Sequence, residues 1–165
     1  MNPLWSYFWP AFAVGLLAGV VFGIFGFRHG RNRVLVLGAG LLAAAAFTGL
    51  WHGPLGAADQ LSGRIERNIR QALVYYEMTQ VTGHLHHGPL TRRVMLSGPA
   101  DDFQQTELAR LLAQIPGVSS ATWSTNGGVP LIAEGIGVAL LGFLLGLLLA
   151  YLVELRRRHN AQWNW

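Results

Sequence analysis

The sequence predicts a membrane α-helical protein with three transmembrane helices and a small α+β domain, of order α-β-β-α-β, between the second and the third. Three observations predict it. The 165 residues are 52% apolar and only 12% charged, well short of the roughly 25% charged residues of a soluble domain. Three apolar runs are each long enough for a span and are flanked by arginines or by turn residues. Between the second and third runs the pattern changes to the periodicity and turn chemistry of a water-soluble unit.

The first run, Leu4 to Phe27, reads LWSYFWPAFAVGLLAGVVFGIFGF and contains no charge. A bilayer core of about 30 Å needs roughly 20 helical residues, which this run exceeds. A signal peptide would begin with basic residues and carry a shorter apolar centre. No basic residue precedes this run, and Trp5, Tyr7 and Trp9 instead resemble an interfacial belt. Arg28, Arg31 and Arg33 close the segment. The second run, Val34 to Trp51, is shorter but within the range for a span. The third, Pro130 to Val153, begins with a proline where the first helical turn loses no amide partner. Glu134 lies in that first turn, where the helix dipole favours an anion and the carboxylate can reach the interface. It is therefore read as a solvated end residue. Glu154 and the triplet Arg156, Arg157 and Arg158 open a tail, residues 154–165.

The arginines set the orientation, because cytoplasmic flanks collect positive charge. Arg28, Arg31 and Arg33 mark one inside loop, and Arg156, Arg157 and Arg158 an inside tail. One topology satisfies both clusters: N-terminus and residues 52–129 outside, C-terminus inside. Residues 1–51 then hold two spans, 4–27 and 34–51, and residues 130–153 hold the third. Six of the twelve arginines flank spans, so the net charge of +4 serves topology, and no nucleic-acid partner is expected.

Small residues recur at helical spacing in two of the spans. Gly15, Gly19 and Gly23 form a row in the first; Gly135 and Ala139 form one row in the third, and Gly142, Gly146 and Ala150 another. Such rows let helix backbones approach closely in lipid. They are expected to dock helices, within the chain or against partner subunits.

The intervening segment reads element by element. Asp59 is expected to cap a helix with a stripe of Leu61, Ile65, Ile69, Leu73 and Tyr76. YEMTQV, from Tyr76, has strand content and ends at Gly83; RRVMLSG is a second strand with Val94 and Leu96 on one face. The two would form a hairpin with a long loop, GHLHHGPLT. Asp101 or Asp102 caps a second helix, with Gln104 or Gln105 completing a capping box. Its apolar positions are Phe103, Leu108, Leu111, Leu112 and Ile115, and Pro116-Gly117 stops it. VSSATWS closes as a third strand, with Val118 and Trp123 as core candidates.

The stretch from Asp59 to Ser124 resembles a BON domain, a small module of bacterial periplasmic and outer-membrane-associated proteins. The resemblance rests on the element order, on VMLSG at Val94 to Gly98, and on IPGV at Ile115 to Val118. The long loop between the first two strands departs from the family's pattern. The resemblance covers residues 59–124 and none of the spans. It implies a non-catalytic module that contacts membranes, lipids or other envelope proteins, and it carries over no catalytic residue. Gly98 and Gly117 are read as backbone-conformation residues.

His84, His86 and His87 are the one cluster that could hold Zn or Cu. They lie between Gly83 and Gly88-Pro89, where the geometry of a ligand set would not be held, so an exposed polar loop is the expectation and no metal is assigned. With no Cys there is no disulfide or thiolate site, and no nucleophile, phosphate-loop or metalloprotease motif occurs. The reading is of a multi-pass protein of a bacterial inner membrane, not an enzyme and without a cofactor. It presents a periplasmic BON-like domain as an accessory subunit of a membrane or envelope complex. Other membrane-protein subunits, membrane lipids and peptidoglycan or other envelope material are the expected partners. The alternatives are a lipid- or envelope-binding module acting alone and metal handling through the histidines.

Overall fold

The computed structural model describes residues 2–28, 32–124 and 128–162. Arg31 of the first arginine cluster and the last three residues of the expected tail lie outside the described residues. The order of elements is α1 (Pro3–Arg28), α2 (Arg33–His52), α3 (Ala57–Tyr75), β1 (Thr82–His87), β2 (Leu90–Ser97), α4 (Asp102–Leu112), β3 (Ser120–Thr122) and α5 (Leu131–Gln162). The chain divides into two compact units. One joins Met1–Tyr7 to Gly56–Glu134; the other joins Phe8–Leu55 to Gly135–Trp165.

The second unit holds the apolar helices. α1, α2 and residues Leu131–Ala161 are long and apolar enough to cross a membrane. Their outward faces keep Leu17, Val21, Phe25, Leu42, Leu141 and Leu148 exposed, as lipid-facing positions allow. Ala18, Ala44 and Phe143 make the centre of the helical packing, with Phe22 and Leu147 against it. α2 contributes a row that the sequence reading did not single out: Gly40, Ala44 and Thr48 are its buried residues. Thr48 satisfies its own hydroxyl by donating to the Ala44 carbonyl at 2.9 Å. α5 runs on through Glu154 to Gln162, so the tail begins as a continuation of the third helix.

The first unit holds a three-stranded sheet of order β1-β2-β3. β1 and β2 are antiparallel, with Leu85 opposite Val94; β2 and β3 are parallel, with Val94 opposite Ala121. Val94, Leu96 and Leu85 are buried with Leu61, Ile65, Ile69 and Leu73 of α3 and Leu108 and Leu112 of α4. The apolar stripe of α3 at four-residue spacing is thus its buried face.

Several expected details give way. α3 starts before Asp59: its N-cap is Gly56 at φ 72, and Asp59 lies in the first turn, where its charge suits the dipole. Tyr76 follows the helix as its C-cap and is 41% exposed, so it is not part of the stripe. The chain turns rather than extends through Tyr76–Val81, with Glu77 at φ 59 and the Met78 amide donating back to the Leu73 carbonyl at 2.9 Å. The first strand lies one segment later, in Thr82–His87, within the stretch expected as a long loop. The hairpin turn is correspondingly tight, at Gly88-Pro89. Strand content in YEMTQV misled because the deciding alternation is Val81, Gly83, Leu85. Gly83 can face the core only without a side chain, since a Cβ there would lie 2.8 Å from Ile69 Cγ2.

On α4 the cap is Asp101, whose carboxylate accepts from the Gln104 amide at 2.7 Å while Gln104 returns a bond to the Asp101 amide. Phe103, expected in the core, is 76% exposed: at the second helical position it falls off the Leu108–Leu112 face. Val118 and Trp123 are half-buried.

Candidate functional site

β2 carries the polar connections of the α/β unit. Strand alternation places Arg92 on the face of Val94 and Leu96, at the end of the sheet. From there its guanidinium makes a two-pronged pair with Glu134 in the first turn of α5, Nε to Oε2 at 2.7 Å and Nη2 to Oε1 at 3.2 Å. Both side chains are only 22% exposed, so the pair is stronger than a surface bridge of the same geometry. Glu134 is accordingly a bound group here rather than a solvated end residue. The adjacent Thr91, itself buried, forms an antiparallel bridge with Pro130, and Leu131 is 1% exposed. One short length of strand thus holds Pro130 and Glu134 at the start of the third apolar helix.

The first turn of α1 belongs to the same unit. Arg64 of α3 donates to the Ser6 hydroxyl at 3.5 Å. Gly117 sits at φ 103 with Ile65 and Pro3 packed close against its Cα; a Cβ there would lie 2.7 Å from Ile65 Cδ1 and 3.3 Å from Pro3 Cγ. Tyr7 is 1% exposed. Gly98, the other glycine of the quoted motifs, is at φ 131 against the Gln80 carbonyl. Both glycines therefore occupy backbone conformations that side chains disfavour.

The three histidines are on β1 and at its end, and they face different partners. His84 is exposed. His86 Nδ1 lies 2.9 Å from the Pro89 carbonyl. His87 Nε2 lies 2.9 Å from Glu66 Oε1, and the same carboxylate oxygen accepts from the Leu85 amide at 3.2 Å. Glu66 of α3 thereby occupies an amide on an edge strand of the sheet, a position otherwise open to pairing with another chain. Among the described residues no three His or acidic side chains group closely enough to hold a metal ion.

The opposite flank of the unit is an open cleft of about 630 Å³ lined by Asp102, Gln105, Thr106, Ala109 and Trp123. The Trp123 indole donates to the Gln105 carbonyl at 3.0 Å, which fixes the ring at the cleft wall. Phe103 stands exposed next to Asp102 in the chain.

In the helical unit the glycine rows face one another. Gly15 lies against the Ala139 carbonyl, Gly19 against the Phe143 carbonyl and Gly146 Cα, and Gly23 against Ala150 and Leu147. From the other side Gly142 meets Phe12, and Gly146 meets Leu16 and Val20. The partners rise together along both helices, so α1 and α5 pack in parallel. α2 joins through Gly40, where a Cβ would lie 2.7 Å from the Phe22 ring.

The arginine clusters meet at Glu154. Arg157 holds its carboxylate with two bonds, at 3.0 and 2.9 Å, and Arg158 with one at 3.2 Å. Arg28 approaches it to 3.8 Å. Sequence reading named these arginines for topology but not Glu154 as their common partner. The i, i+3 and i, i+4 spacing to Arg157 and Arg158 was a readable signal. Arg92–Glu134 had none, since the two are 42 residues apart. No protein-family model, curated protein or solved structure matches the chain.

Proposed function

We propose that the chain is a non-catalytic, multi-pass protein of a bacterial inner membrane that holds a BON-like domain, residues 59–124, at the periplasmic face as an accessory subunit of a larger membrane or envelope complex. One observation carries this reading: the α/β unit incorporates the first turns of α1 and α5 through Arg64–Ser6, Thr91–Pro130 and Arg92–Glu134. A domain built this way counts the starts of two apolar helices among its own elements, which suits a membrane-held docking subunit. The BON-like assignment is supported by the element order and by the positive φ of Gly98 and Gly117 within VMLSG and IPGV. The arginine flanks support the orientation.

The glycine rows are occupied within the chain, so contact with a partner falls to the domain. Phe103, exposed and next in the chain to Asp102 of the Trp123 cleft, is the side chain best suited to anchor it, because buried aromatic anchors dominate interface energetics. The test is mild-detergent purification from the native membrane with mass spectrometry of what accompanies the chain. Phe103→Asp should lose the co-purifying subunit at unchanged abundance, while Glu107→Ala, on the same helix, should keep it. Recovery of the same companions with Phe103→Asp would remove that face from the interaction, and a chain that purifies alone would remove the subunit reading.

A further inference from the structure

Where α1 ends, α2 begins and α5 leaves its apolar stretch, the helical unit opens a cleft of about 170 Å³ lined by Phe27, Arg33, Tyr151, Glu154, Leu155 and Arg158. Its charge is unbalanced. Among the described residues around it Glu154 is the one carboxylate, with a side chain 8% exposed, and it lies beneath Arg28, Arg157 and Arg158, whose side chains remain 47, 60 and 65% exposed. Each guanidinium has five donors in a planar fork, and one carboxylate cannot occupy them all. Arg33 adds a further charge, set 4.8 Å above the Phe27 ring. The apolar wall is equally specific: Phe27 and Tyr151 meet edge to face with centroids 5.9 Å apart, and Leu155 is 51% exposed beside them. A cation-rimmed opening whose wall is aromatic and aliphatic matches a ligand with an anionic head and an apolar body.

We propose that this cleft binds the phosphate headgroup of an anionic phospholipid, with Arg33 and Arg158 as the phosphate ligands and Tyr151 and Leu155 against the start of an acyl chain. Glu154 is a positioning residue: it fixes Arg157 and Arg158 from below and leaves their outer donors free. Arginine suits phosphate because its fork matches two phosphate oxygens at once. Basic pockets between membrane helices bind anionic headgroups by this means. The volume admits a phosphate with its glycerol carbons and leaves the chains along the exposed helix faces.

The test uses the full chain in detergent, titrated with phosphatidylglycerol and, separately, phosphatidylcholine, with bound lipid read by native mass spectrometry. Retention of phosphatidylglycerol at least tenfold above phosphatidylcholine is expected. Arg33→Gln and Arg158→Gln should each lower it about tenfold. Arg156→Gln removes the same charge from the other side of α5, since two residues along a helix turn it by roughly 200°, and should stay within twofold. Equal retention of the two lipids in the unaltered chain would overturn the proposal without any variant. So would an equal loss in all three variants, which would mean diffuse charge. Displacement of the lipid by millimolar inorganic phosphate would overturn it in favour of a free-anion site.

Discussion

At the scale of single residues, the informative contact is Arg92–Glu134. Both side chains are largely withdrawn from water, so loss of one partner leaves a poorly solvated charge. Arg92→Met should destabilise the α/β unit by about 1–3 kcal/mol, at the lower end because each group keeps some solvent. Glu134→Gln, which keeps one acceptor, should cost less. The double variant should cost less than the sum, by about 0.5–3 kcal/mol for groups in contact. Hydrogen exchange at the amides of β2 and of the first turn of α5 reads the loss directly; protection unchanged in Arg92→Met would mean that the pair holds nothing. This pair was closed to sequence reading, which supplies no register between residues so far apart in the chain. Local chemistry was open to it: Asp101 with Gln104 forms the capping box because the cap and its return bond lie three residues apart. Phe103 failed for a related reason. Its position fits an apolar count, but the second residue of a helix faces wherever the cap turns it.

At the scale of elements, the stripe of α3 and the strand at Val94 and Leu96 follow from periodicity alone, since burial of one face imposes it. β1 does not, because its inward positions include a glycine and its outward ones two histidines, His84 and His86. The parallel pairing of β3 is set by the chain's path around α4, which no local pattern states. The glycine rows lie between these cases: spacing marks the residues, and packing decides what meets them. Gly19 lies against backbone of α5, so Gly19→Leu puts a side chain where the helices touch. Insertion should be unaffected, as leucine favours the bilayer. The α1–α5 contact should weaken by about 1–2 kcal/mol. A cysteine pair placed across the two helices, in a chain that has no other cysteine, should then crosslink more slowly. Leu17→Ala, at a position 61% exposed, should leave the rate alone. Equal rates for Gly19→Leu and the unaltered chain would mean that the row does not set the contact.

At the scale of the whole molecule, three crossings would put two spans between the arginine clusters, and so both clusters on one side, with residues 52–129 on the other. A reporter fused after Trp165 should therefore be cytoplasmic and one inserted at Gly88 external; the same side for both would exclude three crossings. The membership of Met1–Tyr7 in the α/β unit has a further consequence, for assembly. The segment that Arg64 and Gly117 receive is synthesised before two complete membrane helices, and the segment that Arg92 receives comes after everything else in that unit. The unit is therefore expected to close only when the earliest and the latest of these pieces are on the same side. A chain whose first helix inserts backwards, or whose third fails to start, leaves the sheet without its neighbours and Gly117 without its cover. Closure of the small domain should therefore report on threading: a variant in which either end piece is misplaced is expected to expose the unit to limited proteolysis, and cleavage no faster than in the unaltered chain would show that the domain closes without them.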